Sequence, residues 1–390
     1  MKQKPCWLVC ILLFYLVFMS CADSVQEARE ALGRLNVTYS EDSFVERARD
    51  GDLMPVQLFL QSGMNPNATN KTGQTALVVA ARYGREAVLS LLLAHGVDPD
   101  LKDREFGATP LIWSAVGGFT KIAAKLLDHR ADMNAREDRS GMSALHSAAA
   151  AGKTEVVDLF LERGMDVNSR DAADRSPLMW AVARGHLETV RKLADKGADL
   201  GAREKSSGLS ALGVAAITGR TEMANLLLEK GAKIDLPDVK GKTPLMLAAQ
   251  NGRAEALKLL LDTGADVGAR DEDGRCAFDL ASAAGMSECC SLLKDAADAS
   301  GKPGAAGEVR FKVQLKGKIG HMNQLGGFYI YGTPEEYTIT NQNPELLKKL
   351  AESGETVAVD GWVSQTGTFL TIEKINGEAY RGDQKPYYGP

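Results

Sequence analysis

The chain has 390 residues, 25% of them charged and 44% hydrophobic, so it is long enough for more than one domain. Its formal net charge of −5 excludes a protein that holds nucleic acid through a basic surface, because neutralising phosphates needs an excess of Lys and Arg. Six unevenly spread cysteines exclude a small fold built on disulfides.

At the N-terminus, Lys2 and Lys4 precede an uncharged apolar run from Cys6 to Met19, followed by Ser20, Cys21 and Ala22. This is the layout of a secretory signal, and fourteen residues fall short of the roughly 20 that a spanning helix needs. Two cleavage schemes fit. Small side chains at Ser20 and Ala22 suit an ordinary signal peptidase acting before Asp23, whereas "FMSC" resembles the bacterial lipobox, which would make Cys21 a lipidated mature N-terminus. The lipobox resemblance implies residues 1–20 as signal peptide, Cys21 as a lipid anchor and a periplasmic, membrane-attached protein, with residues 21–42 as a linker. Without Lys2 and Lys4, 44 basic residues face 51 acidic ones, a mature charge of about −7.

From about residue 43 the sequence repeats. A glycine recurs at 73, 107, 141, 208, 241 and 274, with Asp174 in the missing place, and a second recurs at 84, 118, 152, 185, 219, 252 and 285. Thr75, Thr109, Ser143, Ser176, Ser210 and Thr243 stand where a helix N-cap is needed, and Pro110, Pro177 and Pro244 follow at the first helical position. A short Ala-rich helix follows in each unit, as in "LMLAAQNG", and the second glycine ends it in a left-handed turn. A bulkier helix comes next, with leucine runs at 91–93, 226–228 and 259–261 that one unit cannot bury alone. These 33- or 34-residue units resemble ankyrin repeats. Seven run from about Lys71 to Ala296, after an irregular N-terminal cap.

The resemblance implies an all-α ankyrin-repeat solenoid that is not an enzyme and binds a protein partner through its concave face and tips. The candidate contacts are Arg82, Tyr83, Arg104, Glu105, Phe106, Phe119, Asp138, Arg139, Arg184, Lys205, Ile217, Asp238, Lys240, Gln250 and Asn251. Exposed Tyr83, Phe106 and Phe119 are candidate anchors, whereas Trp113 and Trp180 are expected to serve packing. Cys289 and Cys290 align with Val156 and Val157 and are read as small buried hydrophobes, with no disulfide to Cys276. No HExxH, CxxC or Ser/His/Asp cluster is present, and His95 and His129 are too far apart to share a metal. No catalytic residue, metal or cofactor is expected, and no nucleic-acid partner.

Residues 297–307 have linker composition, and the period then changes to two. "EVRFKVQLKGKIG", "GGFYIYG", "EEYTIT", a helix from Pro344 capped by Asn343, "ETVAVDGWVS" and "GTFLTIEKING" follow in order. Three strands, a helix and two strands form the order of the OB-fold, so residues 308–380 are expected to be a small all-β OB-like five-stranded barrel, with Gly317 and Gly361 at bends and 381–390 as a tail. Such barrels bind oligosaccharides or oligonucleotides. Nine basic against ten acidic residues from Glu308 onward argue against nucleic acid, although Phe328, Tyr329 and Tyr331 supply rings for stacking.

Overall fold

The computed structural model describes residues 24–300, 310–322, 327–331, 337–339, 344–353, 356–364, 369–376 and 378–379. The expected signal peptide, Cys21, residues 301–307 of the linker and the tail 381–390 lie outside the described residues. The chain divides between Lys205 and Ser206 into two compact units, each described by itself.

The first unit begins with a helix, α1 (24–34), where a linker was expected. Ala28 and Leu32, one helical turn apart, are buried, which a linker would not allow. Arg29 stacks 4.7 Å over Tyr39, whose hydroxyl donates to the Ser62 carbonyl at 3.1 Å. The cap helices α2 (Glu41–Asp50) and α3 (Leu53–Gln61) follow, then four helix pairs: α4 (Ala76–Arg82) with α5 (Glu86–Ala94), α6 (Pro110–Gly117) with α7 (Thr120–Asp128), α8 (Ala144–Ala150) with α9 (Thr154–Glu162), and α10 (Pro177–Arg184) with α11 (Leu187–Asp195). The second unit carries α12 (Ala211–Thr218), α13 (Thr221–Glu229), α14 (Pro244–Gln250), α15 (Ala254–Asp262), α16 (Ala277–Ala283) and α17 (Ser287–Ser300). The last helix runs into the expected linker, because "DAADAS" is rich in the best helix former and Ala297 is buried.

Caps start the inner helices as expected. Thr75, Thr109, Ser176, Ser210 and Thr243 accept from the N–H three residues on. Alanine at 80, 81, 115, 148, 149, 181, 215, 216, 248 and 249 is wholly buried, which lets neighbouring inner helices approach closely. In the outer helices Leu92, Leu227 and Leu260 are wholly buried, while Leu91, Leu228 and Leu261 turn partly to solvent. Each leucine run is therefore buried on one side only.

The second glycine meets two demands. Its φ is positive in every repeat, from 64° at Gly252 to 90° at Gly185. The residue that follows it one repeat later also lies across it: a Cβ at Gly84 would sit 2.7 Å from the Phe119 ring, and one at Gly152 would sit 2.4 Å from His186. Asp174, in the place of a tip glycine, adopts φ 59°. The tips are tied in a ladder: Asp138 N–H donates to the Phe106 carbonyl, Ala172 to Ser140, Lys205 to Ala173, and in the second unit Glu272 to Lys240.

The last repeat is capped differently. Cys276 donates its N–H to Asp279 at 2.9 Å, and burial, with Asp279 beside it, pushes the thiol up to about 11. None of the three cysteines of this repeat is in a disulfide. Cys289 is buried as expected, whereas Cys290 is only half-buried.

After the repeats, β1 (Arg310–Met322), β2 (Gly327–Tyr331), β3 (Tyr337–Ile339), α18 (Pro344–Ser353), β4 (Thr356–Ser364), β5 (Phe369–Ile375) and β6 (Glu378–Ala379) follow. The sheet order is β3-β2-β1-β4-β5-β6, and β3 also pairs with β5, which joins five strands into a ring. β1 pairs with β4 up to Lys318 and with β2 from Lys318 onward, changing partner beside Gly317. The register of β4 against β5 shifts between Asp360 and Gly361. Ile319, Ile330, Leu347, Val357, Val359 and Ile375 are buried. The sixth strand was not expected; Asn376, at φ 50°, turns the chain back onto β5. Among the described residues no helix is long and apolar enough to cross a membrane.

Candidate functional site: a groove between two tips

Within the first unit, the tips and inner helices of the second and third repeats enclose a groove of about 380 Å³. Ala108 and Ile112 from one repeat and Met142, Ser147, Ala150 and Ala151 from the next form its floor. Phe106, Trp113 and Val116 stand on one side, Glu137, Arg139 and Ser140 on another, and Arg184 reaches it from the end of α10. Val116 is 41% exposed.

The walls are built around one buried carboxylate. Asp103, 2% exposed, accepts the Phe106 N–H and the Trp113 indole N–H, each at 2.6 Å. These bonds set Phe106 edge-on to Trp113, with ring centres 5.5 Å apart and planes at 84°. The Arg82 guanidinium lies 4.0 Å over Trp113, and that of Arg139 lies 4.2 Å over Phe106 while donating to the Glu105 carbonyl at 2.8 Å. Burial raises the Glu137 carboxyl, but Ser140 and the N–H groups of Arg139, Ser140 and Met142 outweigh it and hold the group below the usual carboxylate range.

The fourth repeat has a related device. Asp171 accepts from the Trp180 indole at 2.9 Å and from Arg175, which lies 4.2 Å over the same ring. Burial raises this carboxyl too, and the hydrogen bonds from Arg175 and Trp180 bring it below its ordinary value.

Of the sequence-derived candidates, Phe106, Arg139 and Arg184 line the groove, while Arg82 lies over Trp113, a residue of its wall, with exposed Tyr83 beside it. Phe106 is half-buried where full exposure was expected, because Trp113 and Arg139 cover it. Phe119 is not an exposed anchor: it covers Gly84 of the preceding repeat. Arg104 covers Gly73, and Glu105 is exposed at its tip. Asp138 pairs with Lys102 at 2.6 Å, and Lys205 is an exposed tip residue.

In the second unit several candidates serve the repeat itself. The Asp238 carboxylate accepts from the Lys240 and Lys242 N–H groups, and Gln250 accepts from the Lys242 ammonium. The Ile217 carbonyl accepts from Arg253, and the Asn251 amide donates to the Leu247 carbonyl. Lys240 is exposed.

Sequence reasoning missed the part played by Trp113. The signal was present: an acidic residue begins the tip nine or ten residues before both Trp113 and Trp180, within reach of the indole on the first turn of the helix. His95 and His129 each contact the carbonyl four residues back at 2.9 Å, and His146 lies buried inside the stack. Among the described residues no group of three or more His, Cys, Asp or Glu side chains could hold a metal ion.

Stacked helix pairs joined by tied tips define a solenoid of the helical-repeat class. A family profile for ankyrin repeats (three copies) matches the chain in overlapping segments, 46–137, 87–171, 132–204, 168–238 and 212–302. The chain belongs to the ankyrin-repeat family. It is 44% identical over 75 residues to the E3 ubiquitin-protein ligase hecd-1 of Caenorhabditis elegans, which is 19% of this chain and 3% of that protein. It is also 36% identical over 62 residues to an ankyrin repeat-containing protein of Treponema pallidum (strain Nichols), 16% of this chain and 21% of that one. The chain thus spans only a small part of these relatives. The crystal structure of the human ASB11 ankyrin repeat domain superposes with a TM-score of 0.51 at 24% identity, over 56% of this chain and 96% of that domain. The fold is in general a non-enzymatic interaction module.

Proposed function

We propose that the protein is an exported scaffold that binds a protein partner on the inner-helix face of its first unit. The groove carries this reading. Half-buried Phe106 and Trp113, exposed Val116 and the guanidinium groups of Arg139 and Arg184 line one apolar groove, with Arg82 over the Trp113 ring beside it. Aromatic and arginine side chains around such a groove are the composition of interface hot spots.

A photo-crosslinking residue at Val116 tests it. A discrete protein adduct from Val116, with none from the outer-helix position Lys121, is the expected result. Equal labelling from both positions, or none from either, would remove the reading.

In the same proposal, Cys21 is lipidated after removal of residues 1–20, which places the scaffold at a membrane of the bacterial envelope. Intact mass and fractionation of the wild type beside Cys21→Ala test this, and a soluble chain beginning near Asp23 in both would refute it. The ring of five strands and the partner change beside Gly317 support an OB-like domain over 308–380. Its role is a second interaction module or spacer. If it made the specific contact with an oligosaccharide or oligonucleotide, deleting 308–390 would abolish binding.

A further inference from the structure

We propose that the groove selects a segment of its partner in which one aromatic or aliphatic side chain is flanked by Asp or Glu. This deepens the scaffold reading and rests on it. The floor, with Ile112 at 3% and Ala108 at 2% exposure and Met142 beside them, offers contacts to an apolar side chain and little to a free inorganic anion.

Of the charged side chains that line the groove, Arg139 and Arg184 are the ones without a carboxylate on them: Glu137 is held by Arg139, Ser140 and Met142 N–H groups, and Asp103, behind the wall, by Phe106 and Trp113. Outside the lining, Asp138 is paired with Lys102 and Glu105 is exposed at its tip. Among the described residues no carboxylate pairs with Arg82, Arg139 or Arg184. The guanidinium carbons of Arg82 and Arg139 lie 4.0 and 4.2 Å from the centres of the Trp113 and Phe106 rings, and a cation held over a ring still has N–H donors beyond the one that Arg139 gives to the Glu105 carbonyl. Those donors suit a carboxylate, and the ring has already restricted the side chain, so less freedom is lost on binding. An Asp or Glu near the apolar anchor would meet Arg139 on one side of the groove or Arg184 on the other.

The test is selection of a random-peptide display library on the full chain, with the recovered peptides titrated against variants. Recovered peptides are expected to share an apolar residue with adjacent Asp or Glu, and to bind more weakly as salt rises. Arg184→Gln should weaken them about tenfold and Arg139→Glu more, while Lys121→Glu on the outer helix leaves them unchanged. Arg184→Gln leaves the Asp103 network intact, so its loss of affinity is separable from misfolding. Recovery of basic or purely apolar peptides, recovery of none, or equal binding to Arg184→Gln would overturn the inference. A partner adduct at Val116 together with any of those outcomes leaves the scaffold and removes the acidic ligand. Failure of both experiments removes both.

Discussion

The two units build the same repeat and use its inner-helix face differently. In the first, the fourth helical position holds Trp113 in α6 and Trp180 in α10, and the tip aspartate divides its oxygens between the turn backbone and an indole N–H. In the second, the same position holds Val214 or Leu247, and Asp238 gives one oxygen to two backbone N–H groups of its own turn. One acidic residue thus serves either the turn alone or the turn and a large ring. Only the second arrangement raises a wall beside the helix, and a wall is what converts a stacked face into a groove.

The largest expected effect lies at the third helical position, where the first unit has His146 and the second has Met246. His146 is fully buried; its Nδ1 contacts the Ser143 hydroxyl at 2.8 Å and its Nε2 the Arg175 carbonyl at 3.1 Å. Burial pulls the imidazole down to about 4, against the pull of the Arg175 carbonyl and Asp171 and with that of Arg136. An unfolded chain takes up this proton near pH 6.5, so between about 6.5 and 4 the unfolded state binds more protons than the folded one. Stability is complete above that window and falls by about 3 kcal/mol across it. Denaturant titrations at pH 7 and pH 4.5 should show the loss in the wild type and a smaller one in His146→Met, which borrows the second unit's residue. Equal pH slopes would mean the imidazole stays reachable by protons in the fold.

Next in size is the tip aspartate. Asp103→Ala strands the indole and a half-buried N–H together and is expected to cost about 2.5 kcal/mol, whereas Asp238→Ala frees N–H groups nearer to solvent and costs about 1. The fluorescence of Trp113 should shift to the red in the first variant. If the two variants melt alike, the indole bond contributes nothing and the wall stands by packing alone.

The glycine at the inner-helix end separates conformation from contact. Gly152 and Gly285 have φ of 66° and 72°, but a Cβ at 152 meets His186 while one at 285 meets nothing within 4 Å. Gly285→Ala is expected to cost about 1 kcal/mol of backbone strain, and Gly152→Ala about 2, since His186 must also leave its contact with the Ala150 carbonyl. Equal melting temperatures would show that His186 moves aside freely.

The repeat itself was legible because each recurring residue has a local cause: Thr or Ser at an N-cap, Pro beside it, and Gly where φ is positive. The groove was legible in part. Arg82, Phe106, Arg139 and Arg184 stood out as variable surface positions, and the acidic residue nine or ten positions before Trp113 and Trp180 was there to be read, but nothing local to the sequence says that Phe119 lies on Gly84. That contact depends on how far one side chain reaches across to the neighbouring repeat, which spacing does not encode. The linker reading of 21–42 failed for a related reason. Val25, Ala28, Leu32 and Leu35 keep helical spacing, but a stripe this short is marginal as a helix on its own and only Ala28 and Leu32 of it end fully buried.

The smallest effect compares one departure with its equivalents in both units. The outer helices α5, α9, α11, α13 and α15 are each followed by a glycine in the left-handed region, Gly96, Gly164, Gly197, Gly231 and Gly264, whereas after α7 in the second repeat Arg130 takes φ 62°. A Cβ at any of those glycines would meet nothing within 4 Å, so the site is open and only the backbone conformation carries a cost. Arg130→Gly should therefore stabilise by about 0.5–1 kcal/mol, offset in part by the greater freedom of glycine in the unfolded chain. Gly197→Arg should lose a similar amount, read as paired shifts in the denaturant midpoint at constant slope. If Arg130→Gly instead destabilises, the arginine side chain contributes a contact that outweighs the strain of its backbone.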